Sequence, residues 1–330
     1  MVRSGAMNGA DDINSVAVVM AIRDPDCQLL QAQLQSLIAQ RGVGLTLFAV
    51  IDGDGAISPE GLRLLKAHGA RIIASDVHLG IRAAFFAGLA AALAGDAGGA
   101  HYFAYCDQDD VWHAEKLAVS IAALKETGAR LVHCDARVVD EAGREIAASL
   151  HRYERRESAD TLLDHVLINY VTGMTSVFTR ETARTALALS RDLDSETLHD
   201  HITAVAAAAT GEVRFLDRRL VDYVQHGGNS LGAIARRKNR WRDVLGLKHI
   251  RAYRKTSLRL FRERRALVRH LQREGLAPDD LCRMFRVDGV PVPARLYLRE
   301  LLKFAANGKT RRLKIWLYMM GAAWRPGIRA

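Results

Sequence analysis

His101-Tyr102-Phe103-Ala104-Tyr105-Cys106-Asp107-Gln108-Asp109-Asp110-Val111-Trp112 is an apolar strand that runs straight into three carboxylates. The same grammar recurs upstream. Val16 to Ile22 (VAVVMAI) is a continuous run suited to a strand covered on both faces, and it stops at Arg23-Asp24-Pro25. Leu45 to Ile51 ends in the turn-forming Asp52-Gly53-Asp54-Gly55. Between these two strands Leu29, Leu30, Leu34, Leu37 and Ile38 fall at helical spacing, which predicts a helix over 27–39. A helix near 59–68, a short strand at 71–74, a helix opening at Gly80 and another from Ala114 to Thr127 complete the alternation. Strand and helix in turn predict an α/β domain with a mostly parallel sheet flanked by helices. In such sheets ligands bind in the crevice at the carboxyl ends of the strands, so the turns at Asp24, Asp52–Asp54 and Asp107–Asp110 are expected to face one crevice.

Beyond residue 130 the pattern is mixed. LVHCD at 131–135 and GMTSVFT at 173–179 are followed by a helix near 199–209 and strands near 213–216 and 219–225. From Ala235 helical periodicity and basic residues dominate, with breaks near Gly275–Pro278, at 289–293 and at Asn307-Gly308. The charge splits at the same place. Residues 233–330 hold 26 Lys and Arg against 7 Asp and Glu, a net +19, while the first 232 residues carry a net −9. The expected organisation is a loose leader over 1–14, a catalytic domain over 15–232 and a basic, mostly α-helical region over 233–330. With 49% apolar and 25% charged residues the chain is neither disordered nor repetitive, and no window reaches the ~18–20 apolar residues of a membrane span. Four scattered cysteines, Cys27, Cys106, Cys134 and Cys282, show no metal or disulfide spacing and fit a reducing, cytoplasmic setting.

Three carboxylates within four residues repel one another unless a cation or hydrogen-bond donors offset them. An oxygen-rich set favours Mg²⁺ or Mn²⁺ held together with substrate phosphates. A solvated acidic turn capping the next helix is the simpler alternative for an isolated D-x-D. Asp200, at the start of an Ala-rich helix, likewise reads as a cap on its own. His226 before Gly227-Gly228-Asn229 reads as a turn histidine, Trp112 as a packing residue and the other histidines as structural or surface groups. The chain has no P-loop, which counts against a nucleotidyltransferase, and no motif for a nucleophilic serine or cysteine.

CDQDDVWHAEKL at 106–117 resembles the D-Q-D-D-x-W-x-x-x-K-L stretch of family 2 glycosyltransferases, in particular their rhamnosyltransferase-like branch. LQAQLQSLIAQ, LVHCDARVVDEAGREI, NYVTGMTSVFTRE and LHDHITAVAAAATGEVRFLDRRLVDYVQHGGNSLG extend the resemblance, in order, over residues 15–232. It implies a GT-A fold and inverting sugar transfer from a dTDP- or UDP-sugar to a glycan or lipid-linked glycan. Under it Asp52 reads the donor's base, Asp107 lies near the ribose, and Asp109 ligates a Mn²⁺ or Mg²⁺ ion to which His226 also contributes. Gly173 lines the sugar side, and Asp200 is the catalytic base. Where the family often has Thr-Tyr-Asn this chain has Ile22-Arg23-Asp24, and Val224 replaces a usual arginine. Arg23 or Arg82 is then expected to supply the positive charge.

The basic tail predicts peripheral docking on the anionic inner face of the cytoplasmic membrane, through Arg and Lys around Trp241 or Trp316. An accessory helical bundle is the alternative. No nucleic-acid module accompanies the charge, so no nucleic acid is expected as a partner. Outside enzymes, the altered Arg23-Asp24 turn leaves open a degenerate nucleotide-sugar or membrane-surface binding protein.

Overall fold

The computed structural model describes residues 14–95, 99–227, 247–287, 289, 294–307 and 315–316, with backbone alone for 247–255 and 294. The expected alternation opens it: β1 (Ser15–Ile22), α1 (Cys27–Ile38), β2 (Gly44–Asp52), α2 (Pro59–Ala67), β3 (Arg71–Ser75), α3 (Ile81–Ala94) and β4 (Tyr102–Cys106). Strands β3, β2, β1 and β4 lie side by side, all parallel. Local chemistry fixes the turns. Asp26 caps α1 by accepting from the N–H groups of Gln28 and Leu29. Ser58 caps α2, with Pro59 in the first turn where its missing N–H costs nothing. Gly88 lets α3 lie directly on the sheet, because a methyl group there would run into Val19 and Val50.

The second half is β5 (Val111–Trp112), α4 (Lys116–Thr127), β6 (Leu131–Asp140), β7 (Glu145–Ala147), α5 (Leu150–Tyr153), α6 (Leu162–Leu167), β8 (Ser176–Thr179), α7 (Arg180–Ser190), α8 (His199–Thr210) and β9 (Val213–Gln225). The sheet order is β3-β2-β1-β4-β8-β6-β9-β5, with β7 paired to β6. β8 is antiparallel to both neighbours, β9 is parallel to β6, and most paired residues therefore lie in parallel ladders. The strands expected at 213–216 and 219–225 are one strand. Cys134 pairs with Leu216 and Asp135 with Arg219, so Asp217 and Arg218 form a bulge. Helices α5, α6 and α7 were not anticipated. The first two span only four and six residues, and α7 buries small alanines that give weak contrast with its polar face.

Two apolar clusters cover the two faces of the sheet. One gathers Leu30, Leu34, Leu65, Leu117 and Ile121; the other gathers Phe85, Leu89, Leu189, Ile202 and Val205. The second cluster continues into the basic region, where α9 (Leu247–Arg273), α10 (Asp279–Met284) and α11 (Ala294–Ala306) follow. Phe261, Leu267, Leu271, Phe285, Tyr297 and Phe304 all belong to it. At about 1.5–3 kcal/mol for each large apolar side chain buried, these helices are held to the sheet domain by a shared core. Trp316 is part of that core and not of a membrane-facing surface: it is 1% exposed and donates from Nε1 to the Tyr297 carbonyl at 3.3 Å. Trp241, the basic runs at 236–242 and 311–314, and the expected boundary at 232 lie outside the described residues. Among the described residues no helix is long and apolar enough to cross a membrane.

Candidate active site

The carboxyl ends of β1, β2 and β4 open into a cavity of about 800 Å³, closed on the far side by the N-terminus of α8 and the end of β9. Arg23, Asp24, Asp52, Asp107, Asp109, Gly173, Asp200 and His226 all line it. Residues that are 177 or more positions apart thus meet in one place, such as Arg23 with Asp200.

Gln108 explains the join between the first and fourth strands. Its side-chain oxygen accepts from the Arg23 N–H at 3.0 Å and its amide donates to the Arg23 carbonyl at 2.9 Å. The Arg23 guanidinium donates to the Asp52 carbonyl at 2.8 Å and approaches His78 Nδ1 at 2.9 Å. Asp52 is 3% exposed, and its two carboxylate oxygens accept the N–H groups of Leu79 (2.5 Å) and Gly80 (3.1 Å). Those bonds fix the entry to α3, where Gly80 holds φ 84°, a value that favours glycine. His78 Nδ1 also lies 3.0 Å from Asp52 Oδ2, and a single ring nitrogen serves Arg23 or Asp52 but not both.

The three clustered carboxylates separate. Asp107 and Asp109 face the cavity, whereas Asp110 is fully buried, turned away, and accepts the Val224 N–H at 3.1 Å. Asp110 therefore ties the carboxylate turn to β9, and β9 brings His226 to the cavity. His226 Nε2 lies 2.9 Å from Asp109 Oδ2. Burial, with Asp109 and Asp200 adding negative charge, pushes the Asp107 carboxyl up to about 7. The tail of the motif packs beneath: Lys116 is buried with its ammonium 3.3 Å from the Trp112 ring centroid, and burial lowers it to about 8.

Asp200 sits in the first turn of α8. Burial raises its carboxyl to about 6, opposed by the His201 N–H at 2.7 Å, the charge of Arg156, the Asn169 side chain and the Gly173 N–H. A carboxylate held by several donors yet raised toward neutrality is suited to taking a proton. Arg82 does not line the cavity. Its guanidinium donates to the carbonyls of Leu193, Ser195 and Thr197 in the loop before α8.

Sequence reasoning missed His78, His199 and Asn169. His199 is 4% exposed, stacks on Phe85 at 3.8 Å and meets Tyr105 edge-on at 4.7 Å. Burial lowers it to about 3, so it is a neutral imidazole, and neither ring nitrogen has a partner among the described residues. Only its place beside Asp200 could have flagged it. A Cβ on Gly173 would stand 2.9 Å from His199 Nε2. Gly173→Ala is therefore expected to displace the imidazole and lower turnover by about 10-fold, with little change in melting temperature. Turnover within two-fold of wild type would show that this contact is unimportant.

Residues 15–185 match the family described as Glycosyl transferase family 2. The chain belongs to that family and is a glycosyltransferase, and its sheet is the GT-A arrangement that the resemblance implied. No curated protein matches the chain in sequence. Among solved structures it is similar to S. aureus TarS 1-349 in complex with UDP-GlcNAc, at 14% identity and a TM-score of 0.47, covering 94% of this chain and 93% of that one. TarS 1-349 in complex with UDP is similar at 13% identity and a TM-score of 0.47, covering 96% and 93%.

Proposed function

We propose that this chain is an inverting, divalent-cation-dependent glycosyltransferase of the rhamnosyltransferase-like branch. It takes a deoxyhexose such as rhamnose from a dTDP- or UDP-sugar and places it on a glycan or lipid-linked glycan during surface polysaccharide assembly. The observation that carries this reading is the single cavity shared by Asp107, Asp109, His226 and Asp200. The donor set suits a hard cation: Asp109 and His226 offer one carboxylate and one imidazole within 2.9 Å of each other. Among the described residues no three His, Cys, Asp or Glu side chains are close enough together to hold a metal by themselves, so the chain would supply part of a shell that a diphosphate and water would complete. When bound, Mn²⁺ or Mg²⁺ offsets the charge that develops on the departing diphosphate.

The chain's own residues do the rest. Asp200 accepts the proton of the acceptor hydroxyl as that oxygen forms its bond to the anomeric carbon. The bond from that carbon to the nucleoside diphosphate breaks, its electron pair leaves with the diphosphate, and the anomeric configuration inverts. Asp52 and Arg23 shape the base and diphosphate end, and Gly173 with His199 shapes the sugar end. The test is a screen of dTDP- and UDP-sugars with Mn²⁺ for release of nucleoside diphosphate, which a degenerate binding protein does not catalyse.

The net +19 of residues 233–330 supports docking on the cytoplasmic face of an anionic membrane, each well-placed basic residue contributing on the order of 1 kcal/mol. The full chain is then expected to sediment with anionic liposomes at low salt and to be released by high salt. Equal binding to neutral liposomes, or none, would assign the region to an accessory bundle instead.

A further inference from the structure

We propose that Arg82 and Arg264 are positioning residues that grip the 193–198 loop from two sides, so that helix α9 of the basic region helps to hold Asp200 at the cavity. The inference rests on the reading of Asp200 as the base. The loop leads from α7 into α8, forms no regular structure, and ends two residues before Asp200. On one side it turns three carbonyls toward one guanidinium: Arg82, in the first turn of α3, donates to Leu193 at 3.3 Å, to Thr197 at 3.5 Å and also to Ser195. On the other side Arg264 of α9 donates from Nη1 to Thr197 Oγ1 at 3.2 Å. Thr197 is 4% exposed, and its hydroxyl shares a 2.6 Å hydrogen bond with Ser195 Oγ. Both guanidinium groups therefore act on the same short stretch, Ser195 to Thr197. The next residue, Leu198, starts α8 by accepting the Ile202 N–H at 3.1 Å.

Arg264 is an expensive way to hold a helix in place. It is 9% exposed, its Nε has no hydrogen-bond partner among the described residues, and Glu263, a carboxylate near it, is 3.9 Å away. An apolar side chain of the same length would pack there at lower cost, because a buried charge with incomplete partners opposes folding. The hydrogen bond to Thr197 gives the arginine a role that packing does not. The outer pair Arg259–Glu196, at 3.3 Å but largely exposed, adds little.

The test uses the full chain with Arg264→Met, Thr197→Val, the double variant and Arg264→Lys. Two readouts are taken: hydrogen exchange of amides 193–201, and release of nucleoside diphosphate from dTDP- and UDP-sugars with Mn²⁺. Each of Arg264→Met and Thr197→Val should speed exchange in 193–201 by about 10-fold or more and leave β1 to β4 unchanged. Each should lower kcat by about 10-fold or more with the donor KM within two-fold, since the base is misplaced but the donor site is intact. The double variant should be no worse than the worse single one, as coupled partners require, and Arg264→Lys should recover part of the loss. Unchanged exchange in 193–201, unchanged kcat, or additive losses would overturn the proposal. If Arg264→Met loosens the whole protein, Thr197→Val alone decides by the same criteria. If the wild type releases nucleoside diphosphate from no donor, the proposed function fails, and the exchange data alone judge the grip on the loop.

Discussion

Replacing Asp200 by asparagine is expected to lower turnover by about 10²-fold or more, the usual scale for a lost general base, with donor affinity near that of the wild type. Asparagine keeps the size of the side chain and can still accept the His201 N–H, so the first turn of α8 should survive. Stability should not fall. The Asp200 carboxyl is raised to about 6, above its ordinary value, so the folded protein binds its proton more tightly than the unfolded chain does. Stability from that group is present at low pH and lost as pH rises through about 6. The neutral asparagine removes that loss, and the melting temperature at pH 7 to 8 should be equal or higher. The same titration governs rate with the opposite sign. A base must be unprotonated, so wild-type kcat should rise with pH through about 6 and then level, and the rise should vanish in Asp200→Asn. Transfer within a few-fold of wild type would mean that another group takes the proton.

Asp109→Ala is expected to abolish the metal-dependent part of nucleoside diphosphate binding, a loss of 10-fold or more in affinity, or about 1.4 kcal/mol. Without that carboxylate His226 alone of the pair would remain to hold a cation, and the diphosphate would face Asp107 and Asp200 with no cation between them. Asp109 lies at the cavity edge with its side chain 19% exposed, so the fold and its circular-dichroism spectrum should be kept. Affinity that is the same with and without EDTA in the wild type would contradict a metal at this position.

Much of this arrangement was legible in the sequence because each strand of the first half is an apolar run with an abrupt polar end. The hydrophobic pattern fixes β1, β2 and β4, and parallel pairing then places Arg23, Asp52 and Asp107 at one edge. Asp200 and His226 come from distant elements, and only the resemblance of whole blocks pointed to them. What the sequence did not disclose depends on side-chain direction. Asp107, Asp109 and Asp110 look alike in a row, yet Asp110 turns inward to Val224. Arg82 reads as a phosphate ligand at a helix start, yet three loop carbonyls take its guanidinium. Trp316 reads as an interfacial aromatic, yet Tyr297 and Phe304 bury it. The basic region looked separable by charge, but its apolar face is continuous with Leu189 and Ile202.

The central claim is that one carboxylate, with no protein nucleophile, drives displacement at the anomeric carbon. Time-resolved proton NMR of the sugar released from a turned-over donor by the full chain with Mn²⁺ tests it most directly. The anomer that appears first should have the configuration opposite to that of the donor. A first-formed anomer with the donor's own configuration would require a covalent intermediate or a front-side path, and would contradict the role assigned to Asp200.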